Sequence, residues 1–496
     1  VSSRHRSALR IWRARGVRSG SDRAFLAYLV VMTALVAVVP VGRAIWLALR
    51  SASGLALLTS TAASGVVAAV TAALWVLALV VGRTRGPALL PPFLTHTLGS
   101  SASERHTVFG APVARAGIAV TITTTASAGF VGTSLIGHGA DAVAAASLTA
   151  AGALTGVIAT ILWLIGQAFP RTVAPSTALA LSVAAVATLA PTLHPFTPWG
   201  WVALAYPTSG TPAFWPLVAL LVLASALLTV TPFLMNALRL PALLSQAHRW
   251  EAATAHATAM DFAAASALYR AVPHRGRRIR AARPRNTLAV TFLIRGAVGA
   301  IRMPGRLTVG VLALLGSGVL IALAPTASSP WLPGIAAGVL ALIGLGPLTD
   351  GVRHAADVTS DLPLYGVSDA RLLLLHCLLP AVALVLPCAA GAVTAVTLGA
   401  GVFTAGAGGL GAGVLALLVR VGTSLKNGLP PALLTPMPTA FGDAAAGIRL
   451  VWALDGPLVA ALGGVAAAFL GVTPIPCVIV AAVASATIVM RWRERR

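Results

Sequence analysis

Few residues in this chain have the type and spacing that chemistry requires. Asp350, Asp357, Asp361 and Asp369 place four of the twelve acidic residues within 20 positions. Asp357 and Asp361 stand one helical turn apart, and such a pair can hold Mg²⁺ on a diphosphate. Membrane enzymes that use this chemistry carry a second acidic site of the Asn-Asp-x-x-Asp type, and none occurs here. The plainer reading is an acidic face on a short helix, able to dock a basic partner or the chain's own arginines. The only lysine is Lys426, in Thr423-Ser424-Leu425-Lys426-Asn427. No Gly-x-x-x-x-Gly-Lys-Ser/Thr loop therefore exists to cradle nucleotide phosphates, and the chain does not hydrolyse ATP by that route. The ten histidines form no His-x-x-x-His or His-Glu-x-x-His pair, and no Gly-x-Ser-x-Gly elbow is present. Cys377, Cys388 and Cys477 lie in apolar runs without a pairing pattern and read as small buried hydrophobes. No catalytic, metal or cofactor site is expected in this chain.

The composition explains this scarcity. Of 496 residues, 57% are hydrophobic and 9% charged, with a mean hydropathy of +0.89. Soluble domains carry about a quarter charged residues, so an ordinary globular enzyme is excluded, as is disorder. An all-α polytopic membrane protein remains. The net charge is +23, from 35 basic against 12 acidic side chains. In a soluble protein that would point to nucleic acid. Here the arginines sit between apolar runs, so they read as inner loops facing anionic membrane lipids, with no nucleic-acid partner.

Twelve spans are predicted, over 25–41, 55–81, 116–136, 142–168, 172–190 and 215–237 in a first half. The second half has 307–324, 331–345, 372–396, 401–419, 457–470 and 473–490. With the N-terminus inside, nearly every inner loop is basic and the outer loops carry only Arg43 and Arg50. The positive-inside rule thus predicts both termini in the cytoplasm. The expected organisation is a basic amphipathic segment at 1–24 and six-helix halves at 25–237 and 307–490. An arginine-rich linker fills 238–306, and a basic tail 491–496. The spans so drawn hold essentially no Asp, Glu, Lys or Arg, so ion coupling has no evident carrier.

The halves show a weak internal repeat. Phe109-Gly110-Ala111-Pro112-Val113-Ala114-Arg115 recurs as Tyr365-Gly366-Val367-Ser368-Asp369-Ala370-Arg371. Each copy ends an inner loop opened by Gly-Pro, at Gly86-Pro87 and Gly346-Pro347, and leads into the third span of its half. Thr121, Thr123, Thr124 and Thr125 give one span a hydroxyl patch that suits helix packing first and a translocation path second. The stretch 191–214 is rich in Pro, Trp and Tyr and reads as a re-entrant segment or an aromatic belt. Two basic amphipathic helices are expected at 7–18 and 287–302, each just before the first span of a half.

Taken together, each half resembles a type II ABC exporter permease: a connecting helix, two spans, a coupling loop, then four spans. The stretches 109–115 and 365–371 are similar to the entry into the third span of such permeases. Pro430-Pro431-Ala432-Leu433-Leu434-Thr435-Pro436-Met437-Pro438-Thr439-Ala440-Phe441-Gly442-Asp443 and Leu454-Asp455-Gly456-Pro457 resemble an uncharacterised actinobacterial multi-pass family taken to be exporter subunits. The second half departs from the pattern, with a long inner loop at 422–456. The resemblance implies a permease in a bacterial cytoplasmic membrane that couples to a separate ABC ATPase subunit, which would hold the ATP and Mg²⁺. It also implies coupling loops at 82–115 and 346–371, containing Phe109, Gly110, Arg115, Asp357, Asp361, Tyr365, Gly366, Asp369 and Arg371. The exported substrate is left unnamed. Two other classes stay open on the residues alone: a stand-alone secondary transporter, and a polytopic enzyme acting on lipid-linked diphosphates.

Overall fold

A computed structural model describes residues 39–170, 191–207, 214–269, 287–359 and 366–495, apart from positions 62, 328, 436, 440 and 441, with isolated positions before residue 39. These residues are almost entirely helical. Ten of the described helices are long and apolar enough to cross a membrane, as in a multi-pass membrane protein. The expected spans at 172–190 and over most of 25–41, and the amphipathic segment at 7–18, lie outside the described residues. The chain divides into two compact units, Val1–Ala255 and His256–Arg496.

The first unit contains α1 (Val39–Leu49), α2 (Ala52–Leu58), α3 (Ala63–Thr84), α4 (Pro92–Gly99) and α5 (Arg105–Ile136). It continues with α6 (Ala142–Ala168), a 3₁₀ turn (Pro191–Phe196), α7 (Pro198–Leu204), α8 (Trp215–Asn236) and α9 (Leu240–Thr258). Asp141 starts α6 by accepting the Val143 N–H, an N-cap bond. In α6, 56% of the apolar window is buried, so it is the centre of the unit. It packs on α5 through small residues. A Cβ at Gly156 would lie 2.6 Å from Thr121 Cα, and one at Gly152 would lie 2.9 Å from the Thr124 carbonyl. Without a hydrophobic drive between helices in lipid, such close backbone approach supplies the dispersion that joins them.

Two boundaries differ from expectation here. The 55–81 span breaks at Thr59–Thr61, where the Thr59 and Ser60 hydroxyls bond back to the Leu55 and Leu57 carbonyls and end α2. The third span begins at Arg105, so the stretch 109–115 is helix rather than loop. Phe109 is fully buried among Leu94, Leu98, Leu238 and Leu243, which draws these turns into the bundle. The Asn236 side chain accepts the otherwise orphaned His106 N–H.

The second unit contains α10 (Phe262–Ala267), α11 (Leu288–Ile301), α12 (Pro304–Leu323), α13 (Trp331–Leu345) and α14 (Asp350–Asp357). It continues with α15 (Asp369–Ala383), α16 (Val385–Leu398), α17 (Val402–Ser424), α18 (Ala444–Ala468) and α19 (Ile475–Arg495). A two-residue antiparallel ladder pairs β1 (Pro438–Thr439) with β2 (Gly442–Asp443). The expected span at 372–396 is one apolar span over Asp369–Leu398, made of α15 and α16, because Pro387 has no N–H to offer Ala383 and the hydrogen-bond ladder lapses at Leu384. The span expected at 457–470 starts instead at Ala444, so it carries Arg449 and Asp455. The expectation of spans without charge is corrected by these two residues. Pro457 sits inside α18, where its only backbone loss is one bond to Ala453. In α19 only 6% of the apolar window is buried, so this helix is peripheral.

Candidate functional site

In each unit the side chains with polar work gather where the arginines lie. In the first unit this basic end is formed by the C-terminal ends of α3, α6 and α8 and the start of α5. The chain leaves α3 through Gly86-Pro87 and runs to α4. Two buried amides hold that passage. Gln167 on α6 accepts the Ala88 N–H (3.1 Å) and donates to the Ala88 carbonyl (3.3 Å) and to Gln246 Oε1 (2.9 Å). Gln246 on α9 accepts the Gly86 N–H (3.2 Å) and donates to the carbonyls of Gly82 and Arg83. Trp163 Nε1 donates to the Arg85 carbonyl at 2.6 Å, and the Arg85 guanidinium lies 3.5 Å from the centre of the Trp250 ring. Gly82 and Gly86 leave room for these partners; a Cβ at Gly86 would overlap the Gln167 side chain. Each buried neutral bond contributes about 1 kcal/mol, and each group left without one would cost about 1–3 kcal/mol.

The residues singled out from sequence fall at several places here. Phe109 is core, Gly110 sits in the second turn of α5 with open space around it, and Arg115 is exposed, its Nε bonded to the Ala111 carbonyl. Thr121 and Thr124 face Gly156 and Gly152 of α6, and Thr123 is exposed. Thr125 lines a groove of about 490 Å³ between α5 and α6, together with Thr133 and Thr149. Thr123, Thr124 and Thr125 each bond a carbonyl one turn back, which satisfies the hydroxyls within their own helix.

At the opposite end of this unit the 191–207 segment folds onto the bundle. Thr197 caps α7 by accepting the Gly200 N–H, and Pro198 fills the first helical position. Tyr206 donates to the Leu58 carbonyl at 2.8 Å, and burial pushes its phenol up to about 12. His194 is buried, and burial lowers its pKa below the usual imidazole range.

The second unit repeats the long–short–long order of helices at its own basic end. α13 leads through a 3₁₀ turn at Gly346–Leu348 into α14, and then α15 begins. Arg420 of α17 donates twice to the Leu342 carbonyl (2.8 and 2.5 Å), closing the end of α13. Arg306 and Asp350 form a two-bond pair at 2.9 and 3.4 Å. Asp357 is exposed at the last position of α14, and Asp361 and Tyr365 lie outside the described residues. Gly366 has φ +60, a left-handed conformation suited to glycine. Asp369 opens α15, where its charge favours the helix N-terminus, and Arg371 is exposed. Among the described residues no group of three or more His, Cys, Asp or Glu could hold a metal ion.

The strongest polar constellation of this unit was not among the sequence candidates. Asp455 of α18 accepts from Lys426 Nζ through Oδ1 (2.8 Å) and from Arg491 Nη2 of α19 through Oδ2 (2.5 Å). Lys426 also donates to the Trp452 carbonyl and sits 3.7 Å from the centre of its ring. Burial is the largest influence on Lys426 and lowers its pKa; Arg491 adds to this, and Asp455 opposes it. Arg491 Nη1 donates to the Gly422 carbonyl, and Arg495 donates to the carbonyls of Leu425, Ser424, Lys426 and Ala356. Three elements are thereby joined by one carboxylate. The sequence held a signal: Ile448, Leu450, Val451, Trp452 and Leu454 continue the apolar pattern N-terminal to Asp455, behind the turn-like Gly456-Pro457.

Ten described helices long and apolar enough to cross a membrane mark the chain as a multi-pass membrane protein. No family model matches it, and comparison with curated proteins and with solved structures finds no similar protein.

Proposed function

We propose that the chain is the membrane-spanning permease subunit of an ATP-driven exporter in a bacterial cytoplasmic membrane, with hydrolysis supplied by a separate ATPase subunit. The observation that carries this reading is the order found in both units. A long helix, a Gly-Pro turn, a short helix (α4 or α14) and a second long helix meet at a basic end. Such a short helix, tied to the ends of the spans, can pass the motion of a docked subunit into the bundle. The amide clasp of Gln167 and Gln246 supports the role, because it ties the loop after α3 to α6. Supporting features are α11, a basic apolar helix directly before α12, and the 191–207 segment packed before α8. Apart from Arg43 and Arg50, the described arginines of each unit lie at the end we assign to the cytoplasm.

Purification from the native host in mild detergent should bring down a stoichiometric subunit with a nucleotide-binding P-loop. Charge reversal at exposed Arg115 or Arg371 should uncouple export while leaving the protein folded. Purification of the chain alone, or unchanged export in both variants, would count against the reading. A second reading, an ion-coupled secondary transporter, is favoured by Asp455, an ionisable group within a spanning helix. It requires transport that follows the proton gradient without any ATPase and fails in Asp455→Asn.

A further inference from the structure

A cleft of about 140 Å³ opens between α17, α18 and α19 beside the charge cluster. Its walls include Val419, Val459 and Val483, and its polar end is formed by Thr423, Thr487, Asp455 and Arg491. The charges at that end do not balance. Lys426, Arg491 and Arg495 supply three positive charges against the single carboxylate of Asp455. The C-terminal ends of α17 and α14, whose carbonyls these side chains reach, offset about half a charge each, which leaves the end net positive. The Lys426 and Arg491 side chains are only 14% and 15% exposed, so water screens this excess weakly. Asp455 is already engaged: Oδ1 accepts from Lys426 and from the Gly456 N–H (2.7 Å), and Oδ2 from Arg491. Arg491 uses one N–H on Gly422 and one on Asp455, out of five. Two other acids lie nearby and neither lines the cleft: Asp357 is exposed at the end of α14, and Glu494 lines a different groove on α19 with Arg493 and Met490.

We infer that this cleft binds an anionic phospholipid, with its phosphodiester on Arg491 and an acyl chain along the valine walls. Lys426 contributes charge from behind Asp455. A free phosphate would have no use for apolar walls. The cleft also borders the outward face of α19, where Val478, Ile479 and Val483 are more than half exposed. Arg491 lies 16 residues beyond Ile475, about 24 Å along the helix. In a hydrocarbon layer of about 30 Å that depth is close to the head groups. This inference does not depend on the exporter reading.

The test uses the full chain purified in a non-ionic detergent. Its thermal unfolding, read by tryptophan fluorescence, is followed with added dioleoylphosphatidylglycerol, dioleoylphosphatidylcholine or inorganic phosphate. Phosphatidylglycerol should raise the midpoint by several degrees, and the other two should not. The double variant Arg491→Gln with Asp455→Asn removes one cation and the carboxylate together, so the net charge of the cluster is unchanged and Lys426 keeps its bond to the Trp452 carbonyl. It should weaken phosphatidylglycerol binding at least tenfold. Val483→Trp fills the cleft wall without touching a charge and should do the same. Equal shifts from both lipids, or binding unchanged in both variants, would overturn the site. An equal shift from inorganic phosphate would overturn the lipid assignment.

Discussion

Replacing Gln246 with alanine should open the loop after α3 without unfolding the unit. The side chain is 4% exposed and makes four hydrogen bonds. Removing it strands the buried Gly86 N–H and one Gln167 N–H, and it leaves a hole against Gln167. A buried donor without a partner costs about 1–3 kcal/mol. The second loss is smaller, because Gln167 keeps its bonds to Ala88. The donations to Gly82 and Arg83 span 3.4 and 3.3 Å and add little. A total of about 2–4 kcal/mol follows, or roughly a 30- to 1,000-fold rise in the opening equilibrium at 1.4 kcal/mol per decade. Amide hydrogen exchange reads this directly. Peptides covering residues 82–90 should exchange faster by that factor, while peptides from α12 and α13 should be unchanged. Gln246→Glu should do no better, since a carboxylate cannot donate to Gly82 and Arg83 and would be buried as a charge. Exchange over 82–90 within threefold of the parent protein in Gln246→Ala would refute the clasp.

In Gly464→Val, the new Cβ would lie 2.7 Å from Gly338 Cα, forcing α13 and α18 apart; a loss of about 1–3 kcal/mol should lower the midpoint of thermal unfolding. Arg306→Gln should cost less than about 1 kcal/mol, because the Arg306 and Asp350 side chains are 28% and 34% exposed; a larger loss in the same measurement would contradict this. Tyr206 has a folded pKa above its unfolded value of 10, so the folded state holds this proton longer. Its contribution is full below pH 10 and lost as pH rises toward about 12, and Tyr206→Phe should remove that part of the alkaline fall in stability. At neutral pH the same variant should cost about 1 kcal/mol through the missing bond to Leu58, measured by denaturant unfolding.

How much of this was legible beforehand varies from element to element. The spans at 142–168 and 331–345 agree with α6 and α13 at both ends, because each apolar run is bounded by abrupt signals such as Asp141 and Gly346-Pro347. The third span, expected from 116, starts eleven residues earlier at Arg105. Gly110, Pro112 and Arg115 read as loop residues, yet burial of Phe109 and the cap from Asn236 outweigh their weak helix preference. Asp455-Gly456-Pro457 failed for the same reason: local turn chemistry was overridden by packing of α18 on α13. The Gln167–Gln246 clasp had no sequence signal at all. Its partners are 79 residues apart, and each looks like an ordinary polar residue at the end of an apolar run. Arg491 was legible as part of a basic tail, but its pairing with a carboxylate 36 residues earlier was not.

That separation matters to how the chain is made. Asp455 is translated after Lys426 but before Arg491, so for the time needed to add 36 residues it has one cation and not two. At 5–20 residues per second this interval lasts roughly 2–7 s. During it the Asp455 carboxylate is paired with Lys426 alone, and α19 has yet to arrive. The bond between α18 and α19 therefore closes only after the following helix is made. A ribosome stalled between the two would leave a species whose Asp455 lacks the bond from Arg491. Pulse-chase synthesis of chains arrested before and after Arg491 would report that distinction as a difference in turnover.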